Sequence, residues 1–166
     1  RQPILESDHL GPIPRTNVSI KISSLYARTD PIDQNGSLDG LVEMIGPILE
    51  HAGRHGVFVN FDMEHYGFKD LTLSLFERCC EQFDFQAGLA LQAYLRSGEA
   101  DARRIIDWSR RTGRQVSVRL VKGAYWDEEI IHADMEGWAD PVWGRKSDTD
   151  ACFERMLDLF IASPPR

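Results

Sequence analysis

Four short apolar runs, near Ser19–Ser23, Val57–Asp62, Leu89–Tyr94 and Val116–Lys122, alternate with the period of an extended strand. Each sets one long polar side chain opposite its aliphatic residues: Lys21, Asp62, Gln92 and Arg119. A strand on the surface of a sheet scatters several small polar residues over its wet face. A strand with one face packed under helices turns its other face toward a lumen, and a single large polar group placed there points to ligand chemistry.

Helical patterns separate the runs. After Val18, Ile20 and Ile22, a loop over Asp30 to Gly36 leads into Leu38, Leu41, Ile45, Leu49 and Ala52 at helical spacing. Ser37 is placed to cap that helix, Pro47 to kink it, and Gly53 or Gly56 to end it. The second unit sets Val57, Val59 and Phe61 on one face, then a helix from Asp70 that turns Leu71, Leu75, Phe76, Cys79, Cys80 and Phe83 inward. The third has Leu89, Leu91 and Ala93, then Ser97 as N-cap, a stripe of Ala102, Ile105, Ile106 and Ser109, and Gly113 as the stop. The fourth has Val116, Val118 and Leu120, a helix from Asp127, a break at Pro141, and a helix after Ser147 carrying Cys152, Met156, Leu157 and Phe160.

Strands and helices alternating four times imply parallel pairing with right-handed crossovers. Strands of a doubly wound open sheet are apolar on both faces, so one polar residue per strand favours an α/β fold of the (βα)8 barrel type. Four units make half of such a barrel. The expectation is that residues 1–166 form one partial barrel, that the gene product continues past Arg166, and that exposed barrel edges drive self-association.

Composition removes other classes. A net charge of −7 and a pI near 5.2 argue against a nucleic-acid partner, and the arginines from Arg103 to Arg114 are interrupted by Ile105, Ile106 and Trp108 as on the wet face of a helix. Cys79, Cys80 and Cys152 form no CxxC pair and fit a reducing compartment, and no stretch nears the roughly 20 apolar residues of a spanning helix. The expected location is cytoplasmic.

Lys21, Asp62, Gln92 and Arg119 fall near the C-terminal ends of their strands, where barrel enzymes build their sites. Asp62 is the expected counter-ion of both cations, and the excess positive charge favours an anionic ligand such as a carboxylate. The stretch from Arg119 through Gly123 and Ala124 to Tyr125, Trp126 and Asp127 leaves a strand for a helix through small residues, letting backbone N–H groups approach a phosphate or ring. No metal site is expected: beside Asp62, Glu64 and His65 no second His sits at a ligand spacing, and His51 and His55 sit at a helix end, away from the strand tips.

The segments VSIKISSLY, FVNFDMEHYGFKDLTL, LALQAYL and VRLVKGAYWD, in this order, resemble the proline dehydrogenase barrel, found alone or within bifunctional proline utilization A proteins. The similarity runs from about Asn17 to the helix near Phe160. The resemblance implies an FAD enzyme oxidising L-proline to pyrroline-5-carboxylate and passing electrons to a membrane quinone, with the full-length protein peripheral to the inner membrane. By the same resemblance Asp62 and Arg119 are catalytic, Asp62 organising Lys21 and the ring-facing site and Arg119 sitting by the flavin N5. Lys21 and Tyr125 bind substrate, the first at its carboxylate and the second by closing over it. Met63, Gln92, Val121, Lys122, Gly123, Ala124 and Trp126 hold FAD, with Gln92 hydrogen-bonding the isoalloxazine. The family's later strands, and a helix bearing a paired arginine that clamps the substrate carboxylate, have no counterpart in these residues. The fragment alone is therefore expected to be inactive. Two other readings stand beside this one: a Schiff-base aldolase using Lys21 or Lys122, and a catalytically dead half-barrel.

Overall fold

The structure, a computed structural model, describes residues 7–8 and 11–163. A two-stranded antiparallel ribbon, β1 (Ser7–Asp8) with β2 (Gly11–Pro12), precedes the main body. That body is built from β3 (Asn17–Ile20), α1 (Gln34–His55), β4 (Phe58–Phe61), α2 (Lys69–Gln82), β5 (Gln86–Gln92), α3 (Gly98–Thr112), β6 (Ser117–Val121), α4 (Trp126–Glu136) and α5 (Lys146–Ile161). The four long strands pair in parallel in the order β3-β4-β5-β6, as sequential βα units require. β3 and β6 are free edges, so the sheet is a barrel wall that does not close.

Register decides which side chains meet. Ser19, Asn60, Gly88 and Ser117 lie side by side across the sheet. Two residues on, the same face carries Lys21, Asp62, Ala90 and Arg119, the row held by the Asp62 N–H donating to the Ile20 carbonyl (2.9 Å) and by Ala90 pairing with Arg119. The opposite parity puts Val59, Phe61, Leu89 and Leu91 into the core with Leu41, Ile45, Leu49, Phe76, Ile105 and Trp108. Phe61 meets Phe76 edge-on at 5.4 Å, and Phe76 meets Trp108 at 5.8 Å. At about 1.5–3 kcal/mol for each large side chain buried, this layer is what holds helices to sheet. Cys79 and Cys80 belong to it as free thiols, and burial pushes both up to about 12, leaving them unreactive.

Several local expectations are corrected. Asp33, not Ser37, caps α1: its Oδ1 accepts from Gly36 N (3.0 Å), while the Ser37 hydroxyl is taken by the backbone of Asp30. Pro47 lies inside α1 without ending it and faces solvent along with Glu43, so the carbonyl that loses its donor can be hydrated. Ser97 is the N-cap residue of α3 as expected, but its hydroxyl donates to Asp101 Oδ2 (2.9 Å) and caps no backbone N–H. β5 starts at Gln86 and stops at Gln92, ahead of the expected run, because the chain turns from α2 into the strand within three residues. α4 ends at Gly137 (φ 68°) rather than at Pro141, since a glycine enters the left-handed region without strain.

Candidate functional site

Lys21 and Asp62 stand one residue past β3 and β4, Gln92 closes β5, and Arg119 lies within β6. Arg119 forms an ion pair with Asp62, and Asn60 Nδ2 donates to the same carboxylate oxygen at 2.9 Å. Asp62 is mostly shielded while Arg119 keeps half its side-chain surface in solvent, so the cation is anchored at one end and free at the other. Lys21 does not share Asp62 directly, as the sequence suggested. Its ammonium donates to Tyr125 Oη at 3.0 Å and lies 5.8 Å from the centre of that ring. The bond to Tyr125, then the charges of Glu64 and Asp62, raise Lys21 above its ordinary value. On an open sheet face water solvates the ammonium, and a close counter-ion is not required.

Gln92 is buried, and its Nε2 donates to the Glu64 carbonyl (3.1 Å) and to Tyr94 Oη (3.3 Å). Its Oε1 is buried with no hydrogen-bond partner among the described residues. Turning the amide over would set two carbonyl oxygens against each other, so the observed orientation is the satisfied one. Met63 is buried on the loop leaving β4. The Val121–Trp126 turn is fixed from both sides: Ala93 and Tyr94 donate their N–H groups to the carbonyls of Val121 (2.8 Å) and Lys122 (2.6 Å). Gly123 has φ 140°, and a Cβ there would come within 2.1 Å of Tyr94 Cδ1, so the backbone passes over that ring where only glycine fits. Lys122 pairs with Asp150 of α5, and Trp126 Nε1 donates to the Trp143 carbonyl (2.8 Å). Those two side chains brace the turn, leaving Ala124 and the backbone as its open part.

The structure thus brings Lys21, Asp62, Arg119, Tyr125 and the Gln92 carboxamide to one end of one face, and seats Lys122 and Trp126 beside it. Sequence reasoning missed Asn60, whose parity with Asp62 was legible. It also missed Glu64, buried, which accepts from Ser23 N (3.0 Å) and Ser23 Oγ (2.5 Å) and joins the loops after β3 and β4. No group of three His, Cys, Asp or Glu among the described residues is disposed to hold a metal.

Residues 2–166 match the family model "Proline dehydrogenase". The chain belongs to the proline dehydrogenase family. The Bifunctional protein PutA of Rhizobium meliloti is 37% identical over 142 residues, 82% of this chain and 11% of that protein. Proline dehydrogenase 1 of Bacillus subtilis is 30% identical over 116 residues, 70% of this chain and 33% of that protein. The crystal structure of proline utilization A from Bdellovibrio bacteriovorus, inactivated by N-propargylglycine, superposes with a TM-score of 0.93 at 34% identity, covering 98% of this chain and 17% of that one. The chain therefore spans a tenth to a third of the curated proline dehydrogenase relatives it matches. Its open parallel sheet is a fragment of their barrel wall.

Proposed function

We propose that this chain supplies the first half of a proline dehydrogenase barrel that oxidises L-proline to pyrroline-5-carboxylate with FAD, electrons passing on to a quinone at the membrane surface. The observation that carries the reading is the row of Lys21, Asp62 and Arg119 on one sheet face, with Tyr125 bonded to Lys21 and, at the end of β5, a buried Gln92 carbonyl that has no partner among the described residues. A flavin fits this donor set. Its ring offers an N–H to a buried acceptor that has no other partner, and the glycine-opened turn at Gly123 admits a close flat ligand. When bound, a flavin supplies acceptance of a hydride equivalent.

The chain's own groups bind, orient and balance charge. Lys21, held by Tyr125, takes the substrate carboxylate, and Tyr125 covers the substrate. Asp62 holds Arg119 toward the ring, where a fixed guanidinium stabilises negative charge, and Asn60 keeps Asp62 in place. Gln92 accepts from the ring, Met63 packs beside it, and Val121, Lys122, Gly123, Ala124 and Trp126 hold the cofactor. A Schiff-base reading needs a neutral amine. Lys21 is held protonated by Tyr125 and Lys122 is committed to Asp150, so the aldolase is disfavoured.

The test is flavin content. The complete gene product should purify yellow, with its visible band bleached by L-proline without oxygen, while residues 1–166 alone retain little flavin because the face is open. A complete protein that is colourless and takes up no added FAD rejects the reading.

A further inference from the structure

Behind Gln92 runs a line of buried polar groups that the proposed reaction does not use. Gln92 Nε2 donates to Tyr94 Oη (3.3 Å), and Tyr94 Oη lies 3.4 Å from Glu129 Oε1. The same Glu129 oxygen accepts from the Tyr66 N–H at 2.5 Å. Gln92, Tyr94 and Glu129 are 5%, 2% and 4% exposed, so bulk solvent does not reach them. Glu129 sits in the first turn of α4, and Tyr66 on the loop between β4 and α2; the carboxylate ties these two segments together over the end of β5.

The direction of the line is set at its far end. A carboxylate only accepts, so the single phenol proton of Tyr94 goes to Glu129 and the phenol oxygen is left as an acceptor toward Gln92. Burial first, and the Glu129 charge second, push the Tyr94 phenol far above its usual range, which keeps that proton in place. Two acceptors, Tyr94 Oη and the Glu64 carbonyl, then consume both N–H bonds of the carboxamide. One orientation remains, with Oε1 facing away from both and unpaired.

We propose that Glu129 and Tyr94 are positioning residues that lock the Gln92 carboxamide with its carbonyl toward the strand-tip face, so the site selects a ring presenting an N–H donor there. The identity of that ring as flavin rests on the function proposed above; the locked amide does not. A ring offering an acceptor at that point would leave the buried carbonyl unpaired and be rejected.

The test follows the Gln92 side-chain amide protons by NMR in the 15N-labelled chain, without ligand. They should exchange with water more slowly than a free glutamine. Tyr94→Phe should speed that exchange about fivefold, the worth of one neutral hydrogen bond, with β5 backbone protection unchanged. Glu129→Gln, which can donate as well as accept, should give a second set of Gln92 resonances from the turned amide, and it carries the test if Tyr94→Phe fails to fold. Free-rate exchange in the unmodified chain, or Gln92 signals unmoved by both changes in folded protein, overturns the proposal. In the flavin-loaded holoenzyme, Tyr94→Phe should weaken FAD binding about fivefold, and not at all in a Gln92→Ala background. Additive losses there overturn the relay while leaving the flavin reading intact; a locked amide in a complete protein that takes up no FAD does the reverse.

Discussion

At the scale of single residues, the two cations of the site are held differently and should fail differently. Lys21 reaches the site as an ammonium oriented by a phenol, whereas Arg119 is clamped by Asp62. In the complete enzyme, Lys21→Ala should raise the proline KM about tenfold or more, the worth of one charged hydrogen bond, with kcat less affected. Arg119→Met should lower the rate of proline-dependent flavin reduction by about ten- to a hundredfold and leave FAD content near that of the parent, as expected for a group that acts on developing charge. Stopped-flow reduction beside cofactor quantitation separates the two, and equal losses of rate and of FAD would make Arg119 a retention residue. Both cations were legible as lone polar residues in alternating runs. Their partners were not: nothing in the spacing says that Lys21 turns to Tyr125, 104 positions away, instead of to Asp62.

At the scale of elements, α2 and α3 are joined by a buried charge. Lys69, at the start of α2, is 6% exposed and donates to Asp101 Oδ1 of α3 (2.9 Å) and to Asp70 (2.6 Å), while Ser97 binds the other oxygen of Asp101. Burial pulls Lys69 down, but the bonds to Asp70 and Asp101 outweigh it, and its folded value lies above the ordinary 10.5. A cation raised on folding stabilises fully below its unfolded value and loses that contribution as pH climbs through the folded one. The melting-temperature gap between the parent and Lys69→Met should hold constant from neutral pH to about 10 and shrink above about 10.5. A gap that stays flat through pH 12 would show that the pair is not coupled to folding. Alternation and helical spacing located every long strand and helix of the wall. The glycine stops Gly56 and Gly113 were legible too, but the N-cap of α1 escaped, because Asp33 and Ser37 are equally good capping residues and only the path of the loop before α1 decides between them.

At the scale of the molecule, a groove of about 960 Å³ lies away from the strand tips. It runs along the outer side of β6 and is lined by Val116, Val118, Leu120, Ile105, Leu157 and Phe160, partly exposed apolar surface beside an unpaired strand edge. Such an edge pairs with whatever strand it meets. Sedimentation of residues 1–166 should show concentration-dependent association, reduced by Leu120→Lys; a concentration-independent monomer would remove edge pairing as the cause. By itself the sequence determined the βα repeat, the parallel order and the parity that sends Lys21, Asp62, Gln92 and Arg119 to one face, because strand and helix periods are local properties of the chain. Only the tertiary structure decided who bonds to whom: Arg119 with Asp62, Lys21 with Tyr125, and Glu129 through Tyr94 to Gln92. Those pairings depend on strand register and on how one loop lies over the next, and both are set by packing between segments far apart in sequence.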